Sequence, residues 1–146
     1  MKERLHLGWQ DFEIALRVGC QAIKDDPLKI GPVTGIYGIP RGGIILAAAL
    51  SHRLNVPLLL QPQAGCVVVD DVLESGKTMQ AVLDGIGDWR THGTSFWVWV
   101  SKNRLLRMYY GSFVDPDTWV VFPWEDWERA EQDEKEYHER RASLEV

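Results

Sequence analysis

Cysteine is scarce in this chain. Two occur among 146 residues, Cys20 and Cys66, far apart and set in apolar surroundings. There is no Cys-x-x-Cys or Cys/His spacing, which excludes a disulfide scaffold and a thiolate metal site. Both thiols read as small buried hydrophobes. The four histidines, His6, His52, His92 and His138, are scattered without ligand spacing, so no transition-metal centre is expected. No apolar run approaches the ~20 residues of a membrane helix. Residues 1–6 lack the apolar core of a signal peptide. The expected setting is therefore cytoplasmic, with no membrane contact.

Charge of one sign is also missing from most of the chain. The net charge is −5, and residues 125–146 hold nine acids against four bases, which accounts for all of it. The remainder is neutral, which speaks against a duplex nucleic-acid surface. What the chain does have is apolar material: 45% of residues, with seven tryptophans. That suffices for one real core. The expected organisation is a domain over residues 1–125 followed by an acidic helical tail over 126–146.

Periodicity sketches the elements. Trp9, Phe12, Ala15, Leu16, Cys20 and Ile23 recur at helical spacing, predicting a helix over 9–25 that Asp25-Asp26-Pro27 ends. Apolar strands are predicted over 33–39, 56–60, 66–70, 96–100 and 119–122. Helices are predicted over 42–54, 76–90 and, in the charged tail, 127–141. Strands that alternate with helices and are apolar on both faces mean an α/β fold with a mostly parallel sheet flanked by helices.

In such sheets ligands bind beyond the carboxyl ends of the strands, so the strand-to-helix turns are where chemistry is sought. One turn reads Asp70-Asp71-Val72-Leu73-Glu74-Ser75-Gly76-Lys77-Thr78. It puts two adjacent carboxylates at the end of a buried strand and a third, Glu74, just beyond. Ser75, Gly76 and Thr78 surround the start of a helix, where unpaired backbone N–H groups and the helix dipole favour phosphate. Gly76-Lys77-Thr78 looks like the end of a nucleotide P-loop, but that motif needs a glycine where Asp71 stands. The bland alternative is a plain helix cap at Ser75 with solvated acids. Paired carboxylates at a buried strand end are costly without a partner, which favours a ligand site. A second turn, Pro40-Arg41-Gly42-Gly43, offers close backbone approach and a guanidinium fork for phosphate oxygens.

These two turns together resemble the type I phosphoribosyltransferase family. The run from Val67 to Thr78 is similar to that family's long signature for phosphoribosyl pyrophosphate. Pro40-Arg41-Gly42-Gly43 looks like its pyrophosphate loop, and most resembles the bacterial xanthine–guanine branch. Ser101-Lys102-Asn103 and the segment Asp117-Thr118-Trp119-Val120-Val121-Phe122-Pro123-Trp124-Glu125 resemble that branch's base-binding segments. The resemblance spans roughly residues 9 to 125.

It implies the type I phosphoribosyltransferase fold and the transfer of a 5-phosphoribosyl group to a 6-oxopurine (guanine, xanthine or hypoxanthine), with pyrophosphate released. By that resemblance Asp70 and Asp71 meet the ribose hydroxyls. Ser75, Gly76, Lys77 and Thr78 cradle the 5-phosphate, and Arg41, Gly42 and Gly43 hold the pyrophosphate. Glu74 is the proton acceptor near N7 of the base, where most relatives carry Asp. Lys102 hydrogen-bonds the base's oxygen, Trp119 stacks on the ring, and backbone groups near Val120 read its edge. Magnesium is the implied cofactor, on Asp70, Asp71 and Glu125. The implied partners are phosphoribosyl pyrophosphate, a purine base and further copies of the chain, as a dimer or tetramer. From the residues alone, Trp119 also reads as plain core, Lys102 as a solvated lysine, and Glu125 as the start of the tail.

One departure matters. Only Gln61-Pro62-Gln63-Ala64-Gly65 separate the second and third predicted strands, where the family carries a long mobile loop. Five residues span at most ~17 Å, so no length remains for a lid. Either residues 58–65 return as extended chain or the second strand is very short. An open donor site favours an alternative: a catalytically weak homologue that binds nucleotide or phosphoribosyl pyrophosphate in a regulatory role.

Overall fold

The computed structural model of the protein describes residues 3–26, 32–90, 93–104 and 108–144; Pro27 and His92 lie outside them. In chain order the elements are β1 (Arg4–His6), α1 (Trp9–Lys24), β2 (Ile36–Gly38), α2 (Gly42–Leu54), β3 (Leu58–Leu59), β4 (Val67–Leu73), α3 (Lys77–Ile86), β5 (Ser95–Ser101), β6 (Met108–Phe113) and β7 (Trp119–Val121). A single 3-10 turn (Trp127–Arg129) then leads into α4 (Ala130–Leu144). The chain forms two compact units, residues 13–116 and residues 1–12 with 117–146.

The larger unit is built on a five-stranded sheet in the order β3-β2-β4-β5-β6, in which each strand pair is parallel. The α/β expectation holds, and its cause is visible in the centre of the sheet. Val67, Val68 and Val69 of β4 and Trp97, Val98 and Val100 of β5 are all essentially inaccessible to solvent. Strands covered on both faces read as unbroken apolar runs. Each such side chain contributes on the order of 1.5–3 kcal/mol relative to exposure. Gly19 of α1 makes room for the Trp97 indole, since a methyl there would lie 3.1 Å from the ring.

The structure differs from the sequence reading at several ends. β4 runs three residues past Asp70, because Val72 and Leu73 continue the ladder to Val100 and Ser101 of β5. Asp70 and Asp71 are therefore strand residues. The second predicted strand shrinks to the two residues of β3, and α3 stops at Ile86, short of Arg90. Residues 33–35 precede β2 and are not strand. β3 and β4 are not neighbours, since β2 lies between them. The connection 60–66 is nonetheless tied down. Thr34 donates from its N–H to Gly65 O at 3.1 Å and from its hydroxyl to Ala64 O at 3.2 Å, and Gly65 N–H reaches Thr94 Oγ1 at 2.8 Å.

The smaller unit contains a parallel two-stranded ribbon of β1 and β7, with Arg4 opposite Trp119, Leu5 opposite Val120 and His6 opposite Val121. β7 was expected to be a strand, but its partner is β1, which sequence reading did not see. α4 confirms a helix in the acidic tail. Asp126 opens the preceding turn by accepting a hydrogen bond from Glu128 N–H at 3.0 Å. Among the described residues no helix is long and apolar enough to cross a membrane.

Candidate active site

Three strand ends of the larger unit meet at the carboxyl edge of the sheet. The first is the β2–α2 turn. Gly38 lets the start of α2 press on the end of β2, and Gly42 and Gly43 let it press on the end of β4. A methyl on Gly38 would run into the Gly43 carbonyl, one on Gly42 into the Asp71 carboxylate, and one on Gly43 would lie 2.5 Å from Val69 O. The Pro40–Arg41 peptide is cis, and the Arg41 side chain is exposed to solvent. The two turns singled out from the sequence are thus in contact, through Gly42 and Asp71.

The second strand end is that of β4. Asp70 Oδ1 accepts from Asp71 N–H at 2.8 Å, and Asp71 Oδ1 accepts from Val72 N–H at 2.8 Å. Burial pushes both carboxyls above the usual aspartate range, and for Asp70 the adjacent Asp71 charge pushes further. Two half-buried acids side by side are an unfavourable arrangement for an empty protein and a favourable one for a cation. The donor set, two hard carboxylates beside a phosphate-type loop, suits magnesium, which takes one or two protein carboxylates and completes its shell from phosphates and water. Beyond them, Asp70 and residues 72–79 line one small concavity. Gly76 adopts a left-handed conformation at φ 89°, which glycine accepts without a Cβ penalty, and so turns the chain into α3. Ser75 Oγ accepts from Lys77 N–H at a long 3.4 Å, a weak cap. Lys77 and Thr78 are exposed in the first turn of α3.

The third end is that of β5. Lys102 N–H donates to Leu73 O at 2.9 Å, which seats the Ser101–Asn103 loop beside β4. The Lys102 ammonium lies 3.1 Å from Glu74 Oε1, with only 8% of the lysine side chain exposed. Lys102 is therefore not a solvated surface lysine. Glu74 and Lys102, drawn from separate motifs, form one ion pair at the rim of the concavity.

The remaining predicted residues belong to the smaller unit. Trp119 is partly exposed and packs on Tyr137 and His138 of α4, at centroid distances of 5.4 and 5.8 Å. Val120 is buried. Glu125 Oε1 accepts from Phe122 N–H at 3.0 Å and so closes a local turn. Gly38 was missed as a site-shaping residue, although an isolated glycine inside an apolar strand signals close backbone approach. Tyr137 reads from the sequence as a large apolar side chain able to dock the tail helix, whereas His138 was missed because nothing in a charged helix marks it as facing β7.

No family model matches the chain. A curated relative, the xanthine-guanine phosphoribosyltransferase of Cereibacter sphaeroides, is 26% identical over 157 aligned positions, covering 86% of this chain and 92% of its own. Among solved structures, a purine phosphoribosyltransferase from Pyrococcus horikoshii superimposes with a TM-score of 0.69 at 24% identity, covering 85% of this chain and 95% of the other. A hypothetical protein from Neisseria gonorrhoeae, solved with bound ppGpp, gives 0.66 at 18% identity over 92% and 96%. The curated relatives and the shared fold support the type I phosphoribosyltransferase reading of the motifs, and with it a transferase. Within that class its similarity runs to the purine enzymes, with xanthine-guanine phosphoribosyltransferases among the curated relatives.

Proposed function

We propose that the protein transfers the 5-phosphoribosyl group of phosphoribosyl pyrophosphate to a 6-oxopurine, in a cytosolic setting and as a homo-oligomer. The observation that carries this reading is the Glu74–Lys102 ion pair, 3.1 Å long, at the rim of a concavity built from the donor-type loop. A carboxylate and an ammonium beside a phosphate cradle are what proton removal from a base and recognition of its oxygen require. A protein that only sensed the donor would need neither.

In this reading the 5-phosphate sits against Ser75, Gly76, Lys77 and Thr78 at the start of α3, and the pyrophosphate against Arg41, Gly42 and Gly43. Asp70 and Asp71 accept hydrogen bonds from the ribose hydroxyls and hold magnesium. When bound, magnesium offsets the charge of the leaving pyrophosphate. A base nitrogen bonds to C1 of the ribose while the bond from C1 to the pyrophosphate oxygen breaks, its electron pair leaving with pyrophosphate. The proton lost from the base passes to Glu74. Lys102 donates to the 6-oxygen, and in the smaller unit Trp119 stacks on the ring with backbone groups near Val120 at its edge. Catalysis is then mostly positioning and charge stabilisation. Incubating the protein with phosphoribosyl pyrophosphate, magnesium and each of guanine, xanthine, hypoxanthine and adenine tests the reading. Nucleotide formed from a 6-oxopurine supports it; turnover of adenine alone, or of none, overturns it.

A second reading has two observations in its favour. The tethered 60–66 connection supplies no lid, and one neighbour of similar fold was solved with ppGpp. A regulatory nucleotide-binding homologue would bind guanine nucleotides saturably, yet form no product in the same assay.

A further inference from the structure

The acidic C-terminal helix reads, from the sequence, either as a solvated carrier of charge or as a helix docked through Trp124, Trp127 and Tyr137. Its contacts within the smaller unit favour docking. Arg4 and Trp119 are register partners in the β1–β7 ribbon, so their side chains rise from the same face of it. α4 meets both. Glu134 Oε2 lies 3.7 Å from the Arg4 guanidinium, with nine-tenths of the glutamate side chain buried. One turn further on, Tyr137 and His138 close on the Trp119 indole with interplanar angles of 54° and 53°. Ala130 is 6% exposed and Glu134 7%, so positions 130, 134, 137 and 138 form one inward face at helical spacing. Tyr137 is itself fixed from below, its hydroxyl accepting from Arg141 Nη1 at 3.2 Å. Trp119 keeps part of its surface exposed.

We infer that α4 is a prop for the base-stacking indole, with Tyr137 and His138 as positioning residues that hold Trp119 at a fixed tilt. The inference rests on the proposed role of Trp119 in base binding. Its physical basis is that an aromatic platform contributes to affinity only when its rotamer is already set. An unsupported indole on a three-residue strand at the surface would have to be ordered by the ligand itself, at an entropic cost. Tilted ring contacts from one helix restrain the indole while leaving surface available for stacking. The inference also explains why a tail with no place in the donor chemistry is folded back onto the base-binding strand.

The experiment compares the full chain with Tyr137→Ala and Tyr137→Phe. Each is assayed for the KM of the 6-oxopurine, the KM of phosphoribosyl pyrophosphate, and kcat. The expected result for Tyr137→Ala is a base KM raised by roughly 3- to 10-fold, the scale of one aromatic contact, with kcat and the donor KM unmoved. Tyr137→Phe keeps the ring and retains the base KM. Calorimetric titration of base onto each variant gives the same ordering if the effect is on binding. An unchanged base KM in Tyr137→Ala overturns the inference, and so does a lowered one, which would make the helix an obstruction over Trp119. Equal losses for base and donor also overturn it, since they report general unfolding. If the unsubstituted chain turns over purine but Trp119→Ala binds base as well as it does, the stacking role fails and this inference with it.

Discussion

At the scale of single residues, the decisive groups are three carboxylates in different surroundings. Asp70 and Asp71 are crowded and buried enough that their carboxyls are pushed up, an arrangement that costs stability in the absence of a cation or hydroxyl partner. Replacing both by asparagine should therefore abolish saturable binding of phosphoribosyl pyrophosphate in calorimetry without lowering the melting temperature. Removing a crowded, desolvated carboxyl pair should instead raise it. Retained donor affinity would take these residues out of the site, and a fall in melting temperature would show them to be structural. Glu74 differs: it faces an ammonium. Glu74→Gln should cost ~10²–10⁴-fold in turnover, the range for a lost proton acceptor, with donor affinity little changed. A turnover within twofold of the unsubstituted protein would remove Glu74 from that role. Glu74 and Lys102 were legible in the sequence as members of separate motifs. That they pair was not, because it depends on the loop after β5 being hydrogen-bonded to Leu73.

At the scale of elements, legibility followed burial. β4, β5, α1 and α2 were readable because they are apolar runs or amphipathic faces whose pattern their packing imposes. β6 went unread: its residues alternate only roughly between buried and exposed, Gly111 interrupts the run, and Trp99 O lies 2.9 Å from where a methyl on that glycine would sit. β1 has a single apolar residue, Leu5, and exists because β7 supplies the ladder. The surface joint between α1 and α2 was equally hidden, being a contact between elements far apart in sequence. Glu13 there receives both Arg53 nitrogens, at 2.9 and 2.5 Å, with Arg17 at 3.4 Å. The hydrogen bond from Arg53 is the main reason the Glu13 carboxyl is held below its ordinary range. A depressed folded-state pKa contributes stability that is present above the unfolded value and lost as pH falls through the folded one. The melting-temperature deficit of Glu13→Gln should thus be present near neutrality and shrink as pH drops below the glutamate range. A deficit equal at about pH 7 and about pH 3 would show that the pair contributes nothing through its charge.

At the scale of the whole molecule, the departure from the family's pattern lies in what the chain omits. The 60–66 connection is accounted for: its backbone is pinned at Ala64 and Gly65 to Thr34 and Thr94, and Cys66 N–H returns to Gln63 O at 3.2 Å. Nothing in that connection can swing over the donor. The sequence showed this by length alone, and the structure adds that β3 has shrunk to two residues to make so short a return possible. A donor held without that lid is open to water from the side the lid would close, and water competes with the base for C1 of the ribose. The protein should therefore release pyrophosphate from phosphoribosyl pyrophosphate with no base present. The release should be saturable in donor, dependent on magnesium, and absent in the Asp70→Asn, Asp71→Asn double variant. Adding the preferred 6-oxopurine should suppress hydrolysis in favour of nucleotide, because an occupied base position leaves water no line of attack. The measurement is coupled pyrophosphate detection beside direct quantification of free ribose 5-phosphate. Efficient base-dependent transfer with base-free release no faster than in buffer would mean that water is shut out by another part of the assembly. Base-free release that added purine does not suppress would mean that the base does not occupy the face from which water attacks.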